Sequence, residues 1–172
     1  QGLIMAVLIS PMIVPLIITA ACMFFFYARI NLVYTFTGVI LAHVALATPF
    51  VVITVTATLV GFDMNMVKAA QSLGAKPIRT FFKVIMPLIL PGIISGALFA
   101  FITSFDEVVV VMFMASIDQL TIPKQMWAGI RQEISPVILC MATCLVLLSI
   151  FLLTTVELLR RRSEKLRGIK AR

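Results

Sequence analysis

"VKAAQSLGAKPIRTFFKVIMPLILPG", residues 67–92, is where an otherwise apolar chain pauses, gathers four cations and two turn signals, and becomes apolar again. Just upstream, Asp63 and Asn65 can each cap a helix start, Ala69 and Ala70 favour the helix, and Gly74 is a natural helix-ending residue. The pattern predicts a helix of about three turns, too short to cross a bilayer. Pro77 then suits the first turn of a second helix, where its missing N–H removes no bond. Pro87 and Pro91 each remove a backbone donor where the next apolar run begins, and so bend the helix that enters it. The stretch reads as helix, glycine turn and a second helix running into a membrane. Its small residues allow close approach of another backbone, while its cations suit an acidic surface or lipid headgroups. From these residues alone, a partner site and an amphipathic helix resting on headgroups stand equal.

The surrounding composition fixes the solvent. Of 172 residues, 62% are hydrophobic and 12% charged, and the mean hydropathy is +1.14. A soluble domain carries about twice that share of charge. Stretches 2–28, 30–62, 84–105 and 134–156 lack Asp, Glu, Lys and Arg. Each exceeds the roughly 20 residues that a spanning helix needs. Exposed backbone finds no water at that depth, and the alternation of a barrel strand is absent, so the spans are helices. The expectation is an all-α polytopic transmembrane bundle forming one domain over 1–172, with spans at about 3–28, 33–60, 84–113 and 136–157. The chain starts at Gln1 and is apolar almost at once, without the order of a signal peptide, so it is expected to continue a protein that begins upstream.

The net charge of +7 is read by location. Loop 61–83 sets Lys68, Lys76, Arg79 and Lys83 against Asp63, and tail 158–172 concentrates seven cations from Arg160 to Arg172. Both are cytoplasmic by the positive-inside rule, and two spans between them make the assignments agree. The tail lacks interleaved aromatics, so it suits anionic headgroups of membrane lipid rather than nucleic acid. Cys22, Cys140 and Cys144 all fall in apolar runs and read as small packing residues.

Asp106 and Glu107 are the acids in apolar surroundings, followed by "VVVVMFMA". Nineteen residues beyond Pro87 place Asp106 about 28 Å up the helix, towards its outer boundary. Thr103 shares their face at spacings of three and four, making a polar strip. Two readings stay open. The acids line a path for a cation, whose ammonium groups pair well with carboxylates; or they are structural, pairing with Lys124 or Arg131 or capping a helix break. Pro11 and Pro15 bend the first span, His43 is a packed or hydrogen-bonded core residue, and Trp127 and Tyr34 suit the membrane interface.

"KAAQSLGA", followed by Phe81, Val84, Pro87 and Pro91, resembles the Glu-Ala-Ala loop of bacterial ABC-importer permeases. "SPMIV" at 10–14, "ATPFVVITV" at 47–55, "GFD" at 61–63, "SFDEVVV" at 104–110 and "ISPVI" at 134–138 extend the likeness over nearly the full length, most closely to the second permease of spermidine/putrescine-type importers. The resemblance implies a type I importer fold of which these are the last four spans, in a bacterial inner membrane with the C-terminus cytoplasmic. It implies a second permease subunit, a dimer of ATPase subunits, and a periplasmic solute-binding protein. It also implies that Ala69, Ala70, Ser72, Leu73 and Gly74 couple to the ATPase, with Lys68 and Pro77 expected in the same coupling loop; the expectation that Thr103, Asp106 and Glu107 belong to the substrate pathway rests instead on their isolation as a polar strip in an apolar span. Lys68 stands where the family has Glu, which reverses a charge in the docking helix. No cofactor is expected on this chain, with ATP and Mg held by the ATPase; no Walker-type glycine loop is present. The suggested cargo is a polyamine; related permeases move opines, amino-acid derivatives, iron or thiosulfate. Rival classes are an intramembrane enzyme, which one histidine and two adjacent acids would equip poorly, and a passive channel or scaffold, which needs no helical hairpin in its loop.

Overall fold

The computed structural model describes residues 2–132 and 135–166, which are helical with no strand among them. Among the described residues, three helices are long and apolar enough to cross a membrane, or four spans if one bent pair counts as a span. That pair is α1 (Gly2–Ile13) and α2 (Leu16–Arg29), which meet at 110°. The single first span anticipated over 3–28 is therefore broken, and the prolines explain where. Pro15 has no N–H for the Pro11 carbonyl and its ring crowds that oxygen, so the helix cannot continue. Pro11 likewise leaves the Val7 carbonyl unserved, and the Ser10 hydroxyl donates to it instead at 2.8 Å.

A short loop turns the chain into α3 (Phe36–Val60), whose start is capped by Thr35 accepting from the Gly38 N–H at 3.0 Å. Next comes α4 (Asn65–Ser72), two turns rather than three, entered by a turn in which Asp63 accepts the Asn65 N–H at 2.9 Å. It ends as its glycine demands. Gly74 has φ +78, its N–H donates to Gln71, and the Ala75 N–H donates to Ala70. Those two bonds are the paired closure of a left-handed helix terminus, a conformation in which a Cβ is unfavourable.

Pro77 opens α5 (Pro77–Thr80), which passes through a π-helical turn (Phe81–Ile85) into α6 (Met86–Phe105). The span thus runs unbroken over Pro77–Phe105 and begins seven residues earlier than the anticipated residue 84. The π turn lies just before Pro87, which lacks the N–H that would bond the Lys83 carbonyl. The Met86 N–H reaches back five residues to Phe81, the widened pairing that such turns use.

The span also ends early, since helix to residue 113 was anticipated and α6 stops at Phe105. Residues 106–108 are non-helical, and a new helix, α7 (Val109–Met114), follows. The Glu107 carboxylate accepts the Val110 N–H at 2.7 Å, so the side chain satisfies a donor that the preceding turn would otherwise have served. Then come α8 (Ile122–Gln132) and α9 (Pro136–Leu166), the latter running as one helix past the anticipated span end at 157. Residues 167–172 of the basic tail lie outside the described residues, as do the side chains from Leu159 onward.

The core has two parts. Along α3 and α6, Gly92 sits against Thr58 and Gly96 against Thr54 and Val51; a Cβ at Gly96 would lie 3.1 Å from the Val51 Cα. Glycines four apart let two backbones approach, the usual seam where lipid offers no hydrophobic drive to association. The hydroxyls of Thr54 and Thr58 bond carbonyls of their own helix at 2.8 and 2.9 Å, so the seam buries no unpaired donor there. Towards the other end, Ala20 of α2, Ala42 and Leu46 of α3, and Val110 and Met114 of α7 form a buried apolar cluster.

Candidate functional site

Where α6 stops, three elements face one another. Thr103, Asp106 and Glu107 line a hollow of about 550 Å³ together with residues 11–16 of the α1–α2 bend and Leu46 and Phe50 of α3. The bend and the break occupy the same level of the molecule. Each is a place where irregular backbone needs protein or a cavity around it, and each supplies that for the other.

The two acids differ in what they are free to do. Glu107 is 7% exposed and engaged with the start of α7. Asp106, the C-cap of α6, is exposed, and its side chain also lines a second, apolar hollow of about 420 Å³ walled by Trp127, Met126 and Ile130 of α8 and residues of α9. The cations that could have paired with the acids are occupied elsewhere. Lys124 donates to the Ala115 carbonyl at 3.1 Å, and the Arg131 guanidinium lies 5.4 Å from the centre of the Trp127 ring. Of the structural roles considered, capping a break is the one that Glu107 performs, while Asp106 is left facing space.

Beside the acids, His43 of α3 shares a hydrogen bond of 2.8 Å with Ser104 through Nδ1, and its buried Nε2 has no partner. That bond ties the last turn of α6 to α3 immediately before the break. Farther along, the Tyr34 N–H donates to the Met114 carbonyl at 3.0 Å and Gln119 donates to the Tyr34 carbonyl at 2.8 Å, which fixes the α2–α3 loop to the end of α7. Tyr34 and Trp127 are both exposed.

The loop residues sit at the other end of the molecule in one helix-turn-helix unit. Lys68, Ala69, Ser72, Leu73, Gly74 and Pro77 are exposed and Ala70 is half-buried, while Val67 and Thr80 face inward. Leu73 is 88% exposed, an apolar side chain presented beside a glycine turn. Lys68 has no side-chain bond among the described residues; Ser72 donates to its carbonyl at 3.0 Å. Among the described residues, no group of three His, Cys, Asp or Glu side chains could hold a metal.

Sequence reasoning did not find the Gly92/Gly96 seam, although its signal, two glycines four apart in an apolar run, is in plain view in "PGIISGA". Nor did it find the π turn, for which the missing N–H of Pro87 is the cue.

Comparison with known proteins agrees with this architecture. Residues 1–165 match the family described as binding-protein-dependent transport system inner membrane component. The chain is 31% identical over 164 residues to the spermidine/putrescine transport system permease protein PotC of Haemophilus influenzae, covering 95% of this chain and 62% of that protein. It is 30% identical over 165 residues to PotC of Escherichia coli, covering 96% and 61%. It is 36% identical over 103 residues to the putrescine transport system permease protein PotI of Escherichia coli, covering 60% and 37%. The chain thus spans less than two thirds of the length of each of these relatives. A profile match over nearly every residue, on an all-helical fold with membrane-length spans, is decisive: the chain belongs to the family of binding-protein-dependent transport system inner membrane components.

Proposed function

We propose that this chain is part of the permease subunit of an ATP-driven importer and that the hollow at the α6–α7 break lies on the path of a small organic cation, a polyamine such as spermidine or putrescine. The observation that carries the reading is the contrast between the two acids. Glu107 is committed to the backbone, whereas Asp106 faces an apolar-walled space with no cation among the described residues lining it. A carboxylate kept in such surroundings is costly unless a charge arrives to meet it. The named relatives transport spermidine and putrescine, whose ammonium groups would supply that charge.

The same reading places the residue 61–83 loop and the C-terminus in the cytoplasm, with Lys68, Ala69, Ala70, Ser72, Leu73, Gly74 and Pro77 docking on a dimer of ATPase subunits that binds ATP and Mg. A second permease subunit completes the path, and a periplasmic binding protein delivers the cargo. An exposed Lys68 is consistent with a position that contributes little by itself. Uptake of labelled spermidine by cells producing the full-length protein with Asp106→Asn tests the proposal. Uptake is expected to fall about ten- to a hundred-fold, the loss of one charge-assisted bond. Uptake at the parental rate, with the variant present in the membrane at normal amount, sinks it.

A further inference from the structure

Hydroxyl side chains in these helices commonly turn back on their own backbone. Thr48, Thr54 and Thr58 of α3, and Thr143 and Thr155 of α9, each donate to a carbonyl of their own helix at 2.7–2.9 Å. Ser104, in the last turn of α6, instead meets His43 of α3 at 2.8 Å. Earlier along α6 the same two helices meet by packing, with Gly96 against Thr54 and Val51, and the Phe50 and Phe99 rings stacked with centres 6.3 Å apart. A polar tie thus takes over where the close packing ends, two residues before Asp106.

His43 is poorly suited to filling space. Its Nε2 is buried without a partner, and a leucine or phenylalanine in the same place would strand no polar atom. That cost is offset only if the rest of the ring has a task. Nδ1 holds Ser104, before the break, and Glu107, after it, is the charged side chain that acts on the ring. Between these two lies Asp106, whose N–H still bonds the Ile102 carbonyl at 3.2 Å while its side chain lines the hollow. The ring itself stands on firm ground, beside buried Ala42 and one turn before buried Leu46, both in the apolar cluster.

We infer that His43 is a positioning residue for Asp106: its bond to Ser104 holds the last turn of α6 against α3 and so sets where the carboxylate stands in the hollow. For its consequence in uptake the inference rests on the proposed cation path, whereas the positioning is a property of the fold. Without the bond, the end of α6 and the non-helical residues 106–108 have more than one placement. The site then presents its carboxylate correctly for only part of the time, and its apparent affinity for a cation falls by that fraction. One neutral hydrogen bond corresponds to about five-fold in such an equilibrium.

Two readouts test this, both on the full-length protein assembled with its partner subunits. In the first, a nitroxide is attached at Asp106→Cys in a background without other reactive cysteines, and its mobility is read by electron paramagnetic resonance. His43→Ala and Ser104→Ala should each raise the mobile fraction about five-fold, and the two together no further than either alone, since they remove one shared bond. His43→Asn keeps a hydrogen-bonding atom where Nδ1 stands and should restore the restricted spectrum, which separates the bond from the volume of the ring. The second readout is uptake of labelled spermidine, normalised to the amount of protein in the membrane. His43→Ala is expected to lower it about five-fold when Asp106 is present and to add nothing in Asp106→Asn, whereas a residue that merely supports the bundle lowers both alike. An unmoved nitroxide spectrum in His43→Ala, changes that multiply in the double variant, or a full five-fold loss on top of Asp106→Asn would each overturn the assignment. If Asp106→Asn alone leaves uptake at the parental rate, the import proposal falls and the nitroxide spectrum still decides this one.

Discussion

Helix α6 is two different objects along its length. Its first half, around Gly92 and Gly96, lies so close to α3 that not even a methyl group fits at Gly96 without moving Val51 or Thr54. Its last turn, at Thr103, faces a hollow of about 550 Å³. Both faces are made of a helix in an apolar setting, and what separates them is side-chain size and the polar residues at the end. Where glycines meet threonines, the backbones close and the polar groups satisfy themselves. Where Asp106 and Glu107 follow Phe105, the helix stops and a space opens. One element is therefore closely packed over one half and open at its end.

The largest expected effect comes from forcing the closed half open. Gly96→Leu places a branched side chain against the Val51 backbone, and overpacking of this kind destabilises by about 1–3 kcal/mol. Thermal denaturation of the detergent-solubilised variant should begin well below the parental midpoint; a midpoint that does not move would mean the seam is looser than the geometry says. The Asp106→Asn experiment above is the corresponding attack on the open half, and it should leave that midpoint where it was.

A smaller effect is expected at Gly74, whose φ of +78 suits residues without a Cβ. Gly74→Val should cost about 1–2 kcal/mol locally and, on the proposed reading, separate ATP hydrolysis from uptake while the spans remain inserted. Tight coupling in reconstituted vesicles would reduce the loop to a simple connection. The smallest effect belongs to Glu107. Gln still offers an oxygen to the Val110 N–H, so Glu107→Gln is expected to keep uptake within a few-fold, whereas Glu107→Ala removes the cap and loses about 1 kcal/mol. Uptake falling as far in Glu107→Gln as in Asp106→Asn would show that the two acids share one task.

The contrast between the halves was only partly legible beforehand. Charge-free runs marked the spans, because a charge in hydrocarbon is expensive at any position. The Gly74 turn and the Pro77 start were legible because a positive φ and a missing N–H each admit few residues. The break after Phe105 was legible only as one of several readings of the acids, since neither Gly nor Pro marks it; it depends on Glu107 bonding forward to Val110 and on the buried cluster that holds α7, a contact made with distant parts of the chain. The bend at Pro15 could be located but not measured, as a missing donor tells where a helix yields and not how far. The hollow needed all of these at once. Its two acids stood out as a pair, and only their different partners made them two residues with two roles.

The unbroken run from Pro77 to Phe105 gives the molecule a mechanical advantage. A helix of about 43 Å, tilted as one body by about 5° at its loop end, sweeps its other tip through about 4 Å, more than the width of a water molecule. Residues 106–108 are non-helical, so this helix ends at Phe105 and α7 is a separate helix. On the proposed reading, a tilt of the loop end would therefore be felt most at the tip of this helix, next to Asp106.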